Sequence, residues 1–215
     1  MDGPCTYEDF RACLIDLEKV NRLSLGYRPT LAWLDEIARP GELLRIVDVG
    51  CGGGDMLRRI ARWAGRRGGE VKLTGVDLNP YAVRAAKEFS RSDEEIEWIT
   101  GDARAYAGEV DVILSSLLAH HLSIAEIPQL LAWMEGTARR GWFINDLCRE
   151  RVPYYAFGAI AKMAGWHRFV QHDGPVSFRR AFREDDWIKM CQTARIGAVK
   201  MQRWTPGRLC IGRVK

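Results

Sequence analysis

The chain has 215 residues, of which 47% are hydrophobic and 28% charged, with a formal net charge of +4. One α/β domain of this length buries about 70% of its unfolded surface without cross-links, so neither disulfides nor structural metals are called for. The composition excludes a disordered chain, no apolar run reaches the ~18 residues that cross a bilayer, and the first four residues show no basic-then-apolar leader. The expected location is the cytoplasm. The six cysteines (Cys5, Cys13, Cys51, Cys148, Cys191 and Cys210) include no C-x-x-C pair and no histidine pair at zinc-ligand distance, so reduced thiols and no metal are expected. Arg58, Arg59, Arg62, Arg66 and Arg67 crowd one stretch, and residues 195–215 carry six basic side chains and no acidic one. Such runs read as solvated faces.

In chain order, a helix opens at the capping-box-like Thr6-Tyr7-Glu8-Asp9. It carries Phe10, Cys13, Leu14, Leu17 and Val20 at helical spacing and ends at Gly26. Pro29-Thr30 starts a second helix, stopped by Pro40-Gly41. Strands then alternate with helices: strand 43–49, helix 56–64, strand 71–76, helix 81–89 behind Pro80, strands 95–100 and 110–115, helix 123–138 and strand 141–147. That order implies a parallel sheet covered on both faces. Beyond it, residues 152–165 read as a buried helix, 166–180 as a polar loop with aromatics, and 183–195 as a helix. Strands 198–204 and 209–214 then form an antiparallel hairpin around Thr205-Pro206-Gly207 at the sheet edge. The expected architecture is α/β, one doubly wound, mostly parallel, Rossmann-like domain. A helical lid spans residues 1–41, a ligand-binding core 42–147, and a substrate-side helix with the hairpin 148–215.

The sharpest signal is Val47-Asp48-Val49-Gly50-Cys51-Gly52-Gly53-Gly54-Asp55, a strand that runs through glycines into a helix. Glycines let the backbone turn tightly beside a ligand, and the helix start offers unpaired N–H groups. The sixth position of a dinucleotide fingerprint counted from Gly50 is Asp55, where that motif wants glycine or alanine. Two carboxylates bracketing the loop, Asp48 and Asp55, suit a ligand with an ammonium or sulfonium charge better than a diphosphate. Asp77 ends the next strand, where a carboxylate can hold a ribose diol. Asp102, in Gly101-Asp102-Ala103, follows the third strand, where an acid can accept from an adenine amino group. The fourth segment, Asp111 to Ser116, ends in small residues and runs into Leu117 to His121.

These four segments, in this order, resemble the class I S-adenosylmethionine-dependent methyltransferases across residues 43–147. The resemblance implies that Asp48, Gly50, Gly52 and Gly54 cradle the methionine moiety and that Asp77 binds the ribose hydroxyls. It places Leu78 on the adenine, Asp102 and Ala103 at its amino group, and Ser116 and Leu117 near the sulfonium. The His-His-Leu ending of the fourth segment is similar to the small-molecule branch, which includes quinone-biosynthesis C-methyltransferases and natural-product O-methyltransferases. Residues 16–21, 26–30, 145–147 and 172–175 resemble methyltransferases encoded beside type III polyketide synthases, and the implied acceptor is a phenolic or quinone-like small molecule.

Methyl transfer is an in-line displacement that the protein aids mainly by alignment, and a phenol, with its pKa of ~10, gains from a base near pH 7. His120 and His121 stand just past the fourth strand; neighbours point in different directions, so at most one is expected to face the methyl group. His172 is a second candidate base beside Asp173, against the reading of residues 172–175 as a plain turn. Asn145 and Asp146 end the fifth strand and are candidates for an acceptor hydroxyl. Tyr27 is a candidate to close over the ligand, and Arg28 to pair with the cofactor carboxylate. Tyr154, with Tyr155, Phe157, Met163 and Trp166, is the candidate apolar wall of the acceptor pocket. The rival readings are a nucleic-acid methyltransferase, favoured by the basic stretches, a binding protein without chemistry, and a nicotinamide enzyme, disfavoured by Asp55. The nucleic-acid rival lacks the Asn/Asp-Pro-Pro-aromatic motif after the fourth strand, so no nucleic-acid partner is expected.

Overall fold

The computed structural model describes residues 5–215. The expectation that no leader is present rests on residues 1–4, which, with the first residues of the expected lid, lie outside the described residues.

Helix α1 (Tyr7–Leu23) begins where Thr6 accepts a hydrogen bond from the Asp9 N–H, and α2 (Arg28–Ile37) has a proline in its first turn. Then follow β1 (Leu43–Val49), α3 (Asp55–Arg67), β2 (Glu70–Asp77), α4 (Pro80–Phe89), β3 (Ile96–Thr100), β4 (Val112–Ser116), α5 (Glu126–Thr137) and β5 (Gly141–Leu147). The chain closes with α6 (Arg151–Met163), α7 (Arg168–Arg180), α8 (Glu184–Thr193), β6 (Lys200–Trp204) and β7 (Arg208–Val214). The sheet runs β3-β2-β1-β4-β5-β7-β6, parallel from β3 to β5, with the hairpin antiparallel beyond it.

Alternation within each strand builds two cores. Ile46 packs with Leu34 of α2 and Leu57 and Ile60 of α3 on one face of the sheet. Val47 packs with Ile127 and Leu131 of α5 and Trp187 of α8 on the other. A strand covered on both faces reads as a near-continuous apolar run, as β1 does. The lid helix α1 lays Tyr7, Phe10 and Leu14 on Ala82 and Ala85 of α4, where small side chains leave room for the aromatic rings.

Three expectations are corrected. The arginine stretch on α3 is a solvated face only in part: Arg62, Arg66 and Arg67 are exposed, but buried Arg58 pairs with Glu18 of α1 at 2.6 Å and donates to the Gly53 carbonyl at 2.5 Å. Arg67 pairs with Asp35 of α2 at 2.5 Å, and Arg59 lies 4.9 Å over the Tyr27 ring. Helix α6 is not a buried helix. Ala161 alone is buried along it, and Met163 is 88% exposed. Its partner is α7, formed by the residues expected to be a polar loop. Gly174-Pro175 reads as a turn, yet it lies inside α7. A Cβ at Gly174 would overlap the Phe157 ring, so this glycine lets α7 close on α6. Among the described residues no helix is long and apolar enough to cross a membrane.

Candidate functional site

Strand order reverses between β1 and β4, whose neighbours on the sheet run in opposite chain directions, and their carboxyl ends open a crevice. The loop after β1 fills it. Gly50, Gly52 and Gly54 have φ of 70°, 52° and 74°, a region that L side chains rarely adopt. A Cβ at Gly54 would also overlap the Trp98 ring of β3. Gly54→Ala is therefore expected to cost at least ~2 kcal/mol through strain and overpacking, a fall in melting temperature of roughly 4–8 °C. An unchanged thermal midpoint would show that the ring can move aside.

Around this loop lies a cleft of about 620 Å³ lined by Gly50, Gly52, Asp77, Leu78, Asp102 and Ala103, with Ser116 and Leu117 at its inner end. Asp77 accepts from the Gly52 N–H at 2.9 Å and the Asn79 N–H at 2.8 Å. Burial raises its carboxyl, and these two donors offset only part of that rise. Asp102 receives both the Arg104 N–H, at 2.9 Å, and its guanidinium, at 2.6 Å, which hold its carboxyl low. Leu78 is 76% exposed at the rim, whereas Ala103 is buried.

Asp48 and Gly54 do not line this cleft. Gly54 sits beneath the loop on Trp98. Asp48 faces a recess of about 30 Å³ behind it, shared with Tyr27, Asp55, Ser116 and Arg208. Asp48 is fully buried, and its Oδ1 has no hydrogen-bond partner, as is true of Ser116 Oγ. Burial, then the nearby charges of Asp55 and Asp77, push the Asp48 carboxyl well up. A desolvated acid among acids is suited by a cation.

A second compartment of about 360 Å³ lies under α1, walled by Phe157 and Ile160 of α6, Trp166, and Phe169, Val170 and Phe178 of α7. Leu17, Asn21, Leu117 and His121 line both the cleft and this chamber. Leu117 has φ of 58°, a strained backbone for a bulky residue, and its N–H donates to the Asn145 carbonyl at 3.0 Å.

The two adjacent histidines are divided between the compartments. His120 lines the chamber, and His121 stands where chamber and cleft meet, the rings 4.3 Å apart. His120 Nδ1 lies 2.6 Å from Asp146 Oδ1, and the His120 N–H donates to Asp146 Oδ2 at 3.0 Å; both side chains are buried. Burial alone would raise Asp146. The His120 ring and the N–H groups of Leu147 and His120 more than offset it, and its carboxyl falls below the usual range. An ionised Asp146 only accepts, so the short contact is one in which it receives the Nδ1 proton of His120.

Several candidates lie elsewhere. His172 is on α7 with a side chain 80% exposed, 2.9 Å from Asp173, and lines neither compartment. Tyr154 packs edge-on against Tyr155 and lines neither, while Phe157 and Trp166 do form the wall. Asn145 is fully buried as a brace, donating to the Gly26 carbonyl at 2.8 Å and Thr30 Oγ1 at 3.0 Å. Tyr27 donates to Asp55 Oδ2 at 2.7 Å, and burial with that acid pushes its phenol far up; it faces the recess and not the chamber. Arg28 is exposed and lines no compartment. The cation at the recess is Arg208, which sequence reasoning missed. Its only sequence signal is a basic residue entering the last strand with no acid in residues 195–215.

A parallel sheet with a glycine loop after β1 and acids at the ends of β2 and β3 has the form of a class I methyltransferase. Residues 46–141 match the family model described as a methyltransferase domain. The ribosomal protein L11 methyltransferase of Thiobacillus denitrificans is 30% identical over 176 residues, 75% of this chain and 55% of that protein. A Burkholderia ambifaria protein of the same name is 30% identical over 118 residues, covering 53% of this chain and 37% of its own length. The chain thus spans about half or less of the curated relatives it matches. Human N-acetylserotonin methyltransferase in complex with S-adenosylmethionine superposes with a TM-score of 0.68 at 16% identity, over 98% of this chain and 56% of that one. Magnesium protoporphyrin IX methyltransferase from Synechocystis PCC 6803, with S-adenosylhomocysteine bound, gives 0.59 at 16% identity, over 100% and 90%. These likenesses define the fold. Residues 46–141 are a methyltransferase domain, and the chain as a whole has the fold of S-adenosylmethionine-dependent methyltransferases.

Proposed function

We propose that this protein transfers a methyl group from S-adenosylmethionine to a hydroxyl of a small phenolic or quinone-like acceptor. One observation carries the reading: a largely apolar chamber adjoins the cofactor cleft at Leu117 and His121, and His120, held by buried Asp146, stands in its wall. The cofactor fits the residues present. On this reading Asp77 holds the ribose hydroxyls, Leu78, Ala103 and Asp102 meet the adenine, and Gly50 and Gly52 let the backbone approach closely. Partnerless Asp48 Oδ1 and Ser116 Oγ suit the charged methionine end. The bound cofactor supplies a methyl carbon activated by its sulfonium.

Asp146 holds the His120 ring so that Nε2 can take the proton of an acceptor hydroxyl. A positioned base of this kind contributes about 10²–10⁴-fold. The walls from α1, α6 and α7 align the acceptor ring and exclude water, and alignment itself is worth several kcal/mol. The α3 arginines weigh against a nucleic-acid acceptor, because Arg58 and Arg67 are already paired with the lid.

The names of the curated relatives favour a second reading, a protein acceptor. A labelled-methyl assay against a panel of naphthols and hydroxyquinones, purified ribosomal protein L11 and total RNA separates the two. Label is expected in the extracted phenols. Label confined to protein or RNA would reject the small-molecule reading.

A further inference from the structure

Arg208 opens β7 opposite Leu147 of β5, and its side chain turns inward to 5% exposure. Its Nη2 donates to Asn21 Oδ1 at 2.9 Å and its Nη1 to Asn145 Oδ1 at 3.3 Å. Both partners are neutral amides. No carboxylate among the described residues forms an ion pair with it: Asp55 is held by Tyr27 and Asn21, and Asp146 by His120. The acid on the chamber wall, Asp173, is engaged with His172.

A guanidinium cannot shed its proton, and its burial opposes its charge; Asp146 and Asp55 offset part of that cost from a distance, but neither pairs with it. The fold nevertheless fixes it in place. A Cβ at Gly26 would fall 2.5 Å from Nη2, so the lid backbone passes directly against the head group. Arg208 lines the chamber and the small recess but not the cofactor cleft. Ser24, two residues before Gly26, also lines the chamber, and its buried Oγ has no partner. A buried cation hydrogen-bonded to neutral amides and an unpartnered hydroxyl therefore serve a largely apolar space that also contains His120.

We infer that Arg208 is the anion receptor of the acceptor site, and that the acceptor is an aromatic hydroxy acid whose carboxylate pairs with this guanidinium while a ring hydroxyl meets His120. The planar fork of arginine matches a carboxylate through two parallel hydrogen bonds, which fixes ring orientation as well as adding affinity. This deepens the reading above and rests on it: a small aromatic must occupy the chamber.

The test is calorimetric titration of the S-adenosylhomocysteine-saturated protein with 3-hydroxy-2-naphthoate and with its neutral amide. The carboxylate is expected to bind at least about tenfold more tightly, consistent with a charge-assisted pair. Arg208→Met should abolish that preference while S-adenosylhomocysteine still binds, and Arg208→Lys should keep part of the preference. Equal binding of both probes to the unsubstituted protein would overturn the inference and leave the small-aromatic reading standing. Binding of neither would overturn both. A preference that survives in Arg208→Met, with S-adenosylhomocysteine affinity lost, would assign the arginine to the cofactor instead. The unsubstituted comparison decides even where Arg208→Met fails to fold.

Discussion

His120→Ala is expected to lower the methyl-transfer rate at pH 7 by about 10²–10⁴-fold while leaving affinity for S-adenosylhomocysteine nearly unchanged. Affinity should hold because His120 lines the chamber and not the cofactor cleft. The deficit should depend on pH in a way that a packing defect cannot imitate. A phenol with a pKa of ~10 ionises unaided in alkali, so the variant should recover toward the parent rate as pH approaches 10. Asp146→Asn should share the defect, since an amide neither fixes the Nδ1 proton nor stabilises the imidazolium. Single-turnover rates against pH for the three proteins settle the matter. A deficit constant from pH 6 to pH 10, or no deficit, would remove His120 from the chemistry. Asp146 also sets an acid limit on stability. Its folded-state carboxyl lies below the unfolded value, so its contribution is present above the ordinary carboxylate range and lost as pH falls through the lower one.

Asp48→Asn should move stability and affinity in opposite directions. In the ligand-free fold Asp48 is a fully buried acid whose Oδ1 has no partner and whose charged neighbours, Asp55 and Asp77, repel it. Replacing that acid by a neutral amide should stabilise the free protein by about 2 kcal/mol, a rise in melting temperature of roughly 4–8 °C at this size. The sign of the pH dependence follows. A carboxyl raised in the folded state means that the folded chain binds more protons. Parent stability therefore falls as pH climbs from the ordinary carboxylate range through the folded-state value, and Asp48→Asn should flatten that fall. The same change should weaken S-adenosylmethionine binding by tenfold or more, because the cation loses its desolvated partner. Thermal melts with and without S-adenosylmethionine measure both effects. A variant less stable when free, or one that binds as tightly as the parent, would contradict this account of Asp48.

The cofactor side of the fold was legible because its signals are local. β1 and β5 have the bounds that their apolar runs suggest, and the glycine loop and the acids at 77 and 102 lie within a few residues of a strand end. The acceptor side depends on contacts between distant segments. Arg208 touches Asn21 across 187 positions, and nothing near residue 208 hints at it, whereas Arg28, beside the lid turn, was the natural but exposed candidate. His120 and Asp146 were each noticed, but not as a pair. Topology could have joined them: β4 and β5 are parallel neighbours, so residues just past one and at the end of the other share an edge. Helix α7 was hidden by Gly174-Pro175, whose turn chemistry is overridden by the packing of Phe157.

Because the cleft is built largely from residues 49–133 and the chamber largely from α1, α6 and α7, the two compartments can diverge separately. Substitutions at Phe157, Trp166 or Phe169 can reshape the chamber over generations without touching the glycine loop. The α6–α7 hairpin is thus the evolvable part of the molecule. The brake on that freedom is the seam of Leu17, Asn21, Leu117 and His121, where each side chain lines both compartments at once. Leu117, held at a backbone angle few residues tolerate, is where a lineage changing its acceptor has the least room to drift.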